Sequence, residues 1–193
     1  MNLADATFSI EKHVVNRPRR VIVILTALCC AATAVHADEA SVRRADQLKA
    51  GYVFNFAKFV EWSTAAATAS LTVCFCGAPG VYDAFASGIE NKRVGTRPLA
   101  ARQIIAPEEA GSCDVLYVDA QALHDEREVL KTPGLLTVSD AKAFVRNGGM
   151  IELFTDSNRL RFNVNVANAH RAGLRISSSL LQLAATVDKE GAK

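Results

Sequence analysis

The residues whose types could do chemistry are few. Cys74, Cys76, Cys113 and His124 could in principle hold a zinc ion. Structural zinc sites are built from paired motifs, however, and here only Cys74-Phe75-Cys76 is a pair; ligating thiols must also stay reduced. Cys76 as a nucleophile has no base near it in sequence. His124 sits in the charged run Asp125-Glu126-Arg127-Glu128, the pattern of a solvated helix face. His170 falls near a helix C-terminus, where positive charge is favourable in any case. Gly77-Ala78-Pro79-Gly80 lacks the Lys-Ser/Thr that completes a phosphate loop. Glu108-Glu109 and Asp125-Glu126 are adjacent in sequence and read as solvent-facing. Asp119 and Asp140 are the more informative carboxylates, because each follows a predicted parallel strand at the end where ligands gather in α/β sheets. Helix capping is the simpler role for both. No catalytic set, cofactor loop or metal site is expected.

Binding is the remaining chemistry. Arg159, Arg161 and Asn163 alternate with apolar residues on a predicted strand, and Arg175 follows nearby. A half-exposed sheet face is polar simply because water is there. It is also what a docking surface looks like, since arginine forks onto carboxylates and is enriched at interface anchors. With 22 basic and 20 acidic residues in all, the chain has no clustered basic surface for nucleic acid.

The segment Lys49–Trp62 must position this face. It packs five of the thirteen aromatic residues into fourteen positions. At helical period, Gly51, Asn55 and Lys58 form one thin polar stripe, while Leu48, Tyr52, Val53, Phe56, Phe59 and Val60 cover most of the rest, so a buried helix from about Ser41 to Trp62 is expected. Upstream, Arg17, Arg19 and Arg20 precede the apolar run Val21–Ala34 and a Val35-His36-Ala37 site. This is the pattern of a secretory signal peptide, residues 1–37, cleaved after Ala37. The run is shorter than the roughly 20 residues of a membrane span. A lipid anchor on Cys29 or Cys30 is disfavoured by Leu28 before Cys29. The mature chain, residues 38–193, is formally neutral and of a size for a single domain, with a core expected over about 41–187.

Along that domain, Leu71–Cys76, Cys113–Val118 and Leu135–Val138 are short apolar strands. They alternate with helices expected after Pro79, over Ala120–Lys131 and from Ser139 or Asp140 through Val145. Lys92–Ala106 reads as extended, with Pro98 confining part of it to an edge or bulge. Strands at Met150–Thr155 and Arg159–Val166 flank the polar turn Asp156-Ser157-Asn158 and form a hairpin. Asn165 caps a short helix ended by Gly173, and Ser177 or Ser178 caps a last helix to about Val187. The fold class is therefore α/β: a single compact domain whose mixed sheet is flanked by helices, with a C-terminal β-hairpin followed by helices. Gly148-Gly149 reads as backbone geometry at a strand entrance.

Several of these segments, in order, resemble one family. Lys49-Ala50-Gly51-Tyr52-Val53-Phe54-Asn55-Phe56-Ala57-Lys58-Phe59-Val60-Glu61-Trp62 resembles the K-A-A-Y-L-Y-N-F-A-K-F-V-E-W-P signature of the YfiR-like periplasmic proteins, departing at Ser63 where the family has proline. Leu135–Asp140, Gly148-Gly149-Met150-Ile151, Asn158–Phe162 and Ala172–Ser178 fit the same family. The resemblance marks Tyr52, Asn55, Phe56, Lys58, Phe59, Trp62, Gly148 and Gly149 as its structural signature. It also implies a disulfide between Cys74, three residues before Gly77, and Cys113, which opens a C-D-V-L motif. Geometry alone does not choose between Cys74 and Cys76, two residues apart on one strand face. Cys76 would then be the free thiol. The function implied is repression of an inner-membrane diguanylate cyclase through its periplasmic domain, with release by an outer-membrane lipoprotein, so that cyclic di-GMP and biofilm are controlled. A homodimer is compatible with this. A periplasmic small-ligand sensor and a weak hydrolase or thiol enzyme are the alternatives.

Overall fold

The computed structural model describes the backbone of residues 18–62, 70–123 and 128–190, with side chains described from residue 39 onward. The expected leader and its cleavage site fall outside the residues whose side chains are described; the backbone there, from Pro18, is helical. Met1–Ser41 forms one unit, and Val42–Lys193 forms the other, which holds the sheet.

Helix α1 (Pro18–Phe59) does not run to Trp62 as its aromatic stripe suggests. Its last three expected residues instead form strand β1 (Val60–Trp62), which pairs antiparallel with β9 (Leu174–Ile176) in a two-stranded sheet. The buried face is also narrower than the hydrophobic stripe. Ala50, Val53, Phe56, Ala57 and Val60 are buried, whereas Leu48 and Phe59 are 52% and 36% exposed. Two alanines let the helix approach the sheet closely, so a seam about one residue wide carries the packing and the larger flanking side chains stay outside. Gly51, Asn55 and Lys58 lie on the exposed side.

The main sheet holds β2 (Leu71–Cys76), β3 (Arg93–Val94), β4 (Arg97–Ile104), β5 (Val115–Val118), β6 (Leu136–Ser139), β7 (Ile151–Asp156), β8 (Arg159–Asn165) and β10 (Thr186–Asp188). Their spatial order is β10-β8-β7-β6-β5-β2-β4-β3. β4, β2, β5, β6 and β7 are mutually parallel, and β8 returns antiparallel to β7. Both faces of the central strands are covered, which is why they read as continuous apolar runs. On one face Val73, Phe75, Val115, Tyr117, Leu136 and Val138 pack with α1 and with α2 (Pro79–Gly88). On the other, Cys74, Cys76, Leu116 and Val118 pack under Ala110, Leu130 and Phe144.

Several boundaries differ from expectation for local reasons. Where a helix over Ala120–Lys131 is expected, the described residues hold a turn and one 3-10 segment, Val129–Lys131. Among the described residues of that stretch only Leu130 is buried, too little for an amphipathic stripe. The helix expected after Ser139 is a run of turns. Val145 N–H donates to the Glu152 carboxylate at 3.2 Å and Gly149 N–H to the Phe144 carbonyl at 2.9 Å, while Ala143 takes a left-handed φ of 61°. Asp156 belongs to β7 and faces Arg159, so the hairpin loop is two residues, Ser157 and Asn158, with φ of 49° and 60°, the signature of a type I′ turn. The last helix, α4 (Ser178–Leu183), is capped by Ser177 and stops early, because Ala185 N–H bonds the Phe162 carbonyl and β10 then joins the free edge of β8. α3 (Val166–Arg171) has the expected Asn165 cap and Gly173 at positive φ just beyond it. Gly149 is fixed by packing, since a Cβ there would lie 2.2 Å from Cε1 of Phe144.

Cys74 and Cys113 form a disulfide with Cα atoms 6.0 Å apart, which removes the zinc set; Cys76 remains a buried thiol 3.4 Å from the Ile105 carbonyl. His124 lies outside the described residues. The bond ties the second-face core across a sequence separation of 39 residues. Cys113→Ala should therefore cost about 2–4 kcal/mol, read as a lowered urea midpoint under oxidising conditions. A midpoint equal to wild type would show that the bond constrains nothing.

Candidate docking face

The parallel strands run β4-β2-β5-β6-β7, so the chain reverses direction across the sheet between β2 and β5, the place where α/β sheets bind ligands beyond the strand ends. In this protein its own side chains fill that place. Asp119 follows β5 and accepts from Ala122 N–H at 2.7 Å, a turn cap. Asp140 follows β6 and pairs with Lys49 of α1 at 2.5 Å. Asp46, one turn before Lys49, lies against the first turn of α2, where a Cβ on Gly80 would meet its Oδ2 at 2.1 Å. A carboxylate suits that helix start, whose Ala78 N-cap offers no side-chain acceptor. Beneath them Tyr117 is fully buried, and burial, then the Asp140 carboxylate, push its phenol far above its ordinary range. The hydroxyl thus stays protonated and cannot serve as a base. Among the described residues, no group of three or more His, Cys, Asp or Glu is placed to hold a metal.

The exposed side of α1 carries a different kind of feature. Tyr52, Asn55, Phe56 and Phe59 of α1, Leu160, Arg161 and Phe162 of β8, and Leu180 and Leu183 of α4 line a groove of about 470 Å³. Its floor is an aromatic cluster: the Phe56 and Phe162 rings lie 5.1 Å apart edge to face, and Tyr52 lies 5.8 Å from Phe56 and 5.9 Å from Phe162. Tyr52 is held by a 2.8 Å hydrogen bond to the Leu160 carbonyl. Two large apolar side chains on its rim face water, Phe59 and the 71% exposed Leu183. Arg161 adds a half-exposed guanidinium, 3.0 Å from Asp156. A rigid aromatic floor, an apolar rim and one arginine are the composition of an interface anchor region.

The four polar residues expected to act together are not all in this groove. Arg161 lines it. Arg159 is exposed at the start of β8 opposite Asp156, and Asn163 accepts from Thr186 Oγ1 of β10 at 2.7 Å. Arg175 is on β9, register partner of Glu61 and 3.8 Å from its carboxylate. There it lines a second cavity of about 450 Å³ with Glu61, Trp62, His170, Gly173 and Leu174. Trp62 is half-buried and anchored through Nε1 to the Gly134 carbonyl at 2.9 Å. Phe59 and Leu183 are the groove residues that pattern reading misses. Phe59 reads as core, and the signal for Leu183 is that Leu180, Leu181 and Leu183 in a six-residue helix exceed what one face can bury.

A family model described as YfiR/HmsC-like matches residues 46–185, well over half of the chain. Among solved structures, the chain is similar to a conserved domain protein from Vibrio cholerae O1 biovar El Tor str. N16961, at 12% identity and a TM-score of 0.45. The match covers 61% of this chain and 55% of that one, so the chain spans little more than half its length. No curated protein matches.

Proposed function

The chain belongs to the YfiR/HmsC-like family, and from that premise we propose that it is a periplasmic regulatory binding protein that represses a membrane-bound diguanylate cyclase by docking on the cyclase's periplasmic domain. The observation that carries this reading is the groove between α1, β8 and α4, with Phe59 and Leu183 exposed on its rim and Arg161 beside them. Water-exposed apolar side chains around a preformed aromatic floor favour a protein partner, because covering them gains the hydrophobic term without remodelling the fold. A binding role also suits a strand-end crevice filled by Asp46 and Lys49. The disulfide fits an oxidising compartment. An outer-membrane lipoprotein that competes for the protein would relieve the repression.

Deleting the gene tests this directly. Cellular cyclic di-GMP and biofilm should rise, and they should return to the parental level when the gene is restored; an unchanged level in the deletion strain overturns the reading. The cavity holding Trp62, His170 and Arg175 favours a second reading, a sensor for a small anionic ligand, since its volume of about 450 Å³ is within the range of ligand sites. That reading expects a melting shift with small carboxylates that Arg175→Ala removes, and no shift with any of them contradicts it.

A further inference from the structure

Helices α1 and α2 lie side by side. At one end Asp46 of α1 sits against Gly80, and at the other Lys92, just past the end of α2, carries its ammonium over the ring of Phe54 at 5.1 Å. Between these two contacts is a pocket of about 190 Å³. Its walls are apolar: Ala50, Phe85 and Ile89 are buried and Phe54 is half-buried. Two glycines keep it open. Gly51 lines it from α1 and Gly88 from α2, and a Cβ built on either would meet no atom within 4 Å.

The mouth of the pocket carries charge of one sign. Lys58, one turn after Phe54 on α1, also lies over the Phe54 ring, at 5.6 Å. Two ammonium groups thus converge on one ring, and among the described residues neither has a carboxylate partner. The ring attracts each cation but leaves their mutual repulsion in place. Lys92 is also fixed at its backbone, since its N–H donates to the Ile89 carbonyl at 2.8 Å and its carbonyl accepts from Leu99 N–H at 3.1 Å.

We propose that this pocket binds a small carboxylate with a compact apolar body, the body lodged between α1 and α2 and the carboxylate held by Lys58 and Lys92. Size sets the body. A cavity of about 150 Å³ holds one benzene ring, so this pocket takes a single ring or a short chain and excludes a nucleotide. The lining sets the head group. It offers no arginine fork and no helix N-terminus to grip the several oxygens of a phosphate, whereas two lysines without carboxylate partners match one carboxylate. The site shares no residue with the α1–β8–α4 groove or with the cavity at Trp62 and Arg175, so it stands or falls independently of both readings above.

Titration of the isotope-labelled processed protein, followed by backbone amide resonances, tests the proposal. Phenylacetate and hexanoate are the probes, a ring and a chain carrying the same head group, and the stronger binder identifies the body. At least one should give saturable shifts centred on the Gly51, Gly88 and Lys92 amides. Benzyl alcohol and hexanol, which keep the body without the charge, should bind about tenfold more weakly, and acetate, which keeps the charge alone, should give no saturable shift. Replacing both exposed lysines, Lys58→Ala with Lys92→Ala, should weaken the carboxylate by about tenfold. Gly51→Leu replaces a glycine inside a helix, so it should fold at least as well as wild type, and its side chain should occupy the gap and abolish binding. The ligand series on wild type decides the matter even if a variant misfolds. No saturable shift with either carboxylate, equal affinity for the alcohols, shifts centred on Gly173 and Arg175 instead, or full binding by folded Gly51→Leu each overturns the proposal.

Discussion

Phe75→Ala is expected to lower stability by about 3–5 kcal/mol, the cost of emptying a fully enclosed aromatic site. Phe75 is at the centre of β2 with no exposed surface, and its ring packs on Phe85, Tyr82 and Tyr117 at 5.2, 5.9 and 5.9 Å. Its three aromatic neighbours are anchored on two other elements, Tyr82 and Phe85 on α2 and Tyr117 on β5, so collapse into the cavity is limited. With a total stability of about 5–15 kcal/mol for a domain of this size, the loss is a large fraction of the whole. A urea midpoint lower by about 1–3 M checks it. Trp62→Ala is the comparison. The signature tryptophan looks like a core residue in sequence, but it is half-buried on β1, and its removal should cost less than Phe75→Ala. Equal losses for the two would mean that β1, and not the centre of the sheet, limits unfolding.

The second large effect is functional. Arg161→Glu should leave folding nearly intact, because the Arg161–Asp156 pair is half exposed on both sides and such pairs contribute about 0–1 kcal/mol. Docking should suffer far more. Removing an anchor arginine typically costs at least about 2 kcal/mol of binding, roughly thirtyfold, and a reversed charge adds repulsion. Cells carrying Arg161→Glu at normal secreted levels should show the cyclic di-GMP of the deletion strain. Full repression by that protein would move the docking surface away from β8 and towards Asn55 and Lys58 on the exposed side of α1.

The parallel strands were legible because each is a short apolar run buried on both faces, and the hairpin because Leu160, Phe162 and Val164 alternate with Arg159, Arg161 and Asn163. Asn165 and Ser177 could be read as caps from residue type alone, since the side-chain oxygen of each accepts an N–H three residues on. What failed depends on tertiary partners. Lys49 and Asp140 are 91 positions apart, and no local pattern joins them. The short helix expected at Asp140 gave way to turns whose donors are taken by Glu152 and by the backbone, and the last helix ended where β8 offered an open edge. For the candidate site, alternation placed Arg161 on a polar face. It could not show that Phe59 and Leu183 stay outside the core, because hydrophobicity records a preference for burial and not which of several apolar residues the packing leaves out.

Docking through the α1–β8–α4 groove is open to one direct titration. The processed protein is titrated calorimetrically into the purified periplasmic domain of the cyclase that deletion of this gene activates, with wild type and Arg161→Glu compared at matched unfolding midpoints. Docking through the groove predicts saturable binding by wild type and an affinity at least about thirtyfold weaker for Arg161→Glu. Equal affinities for two equally stable proteins would contradict it.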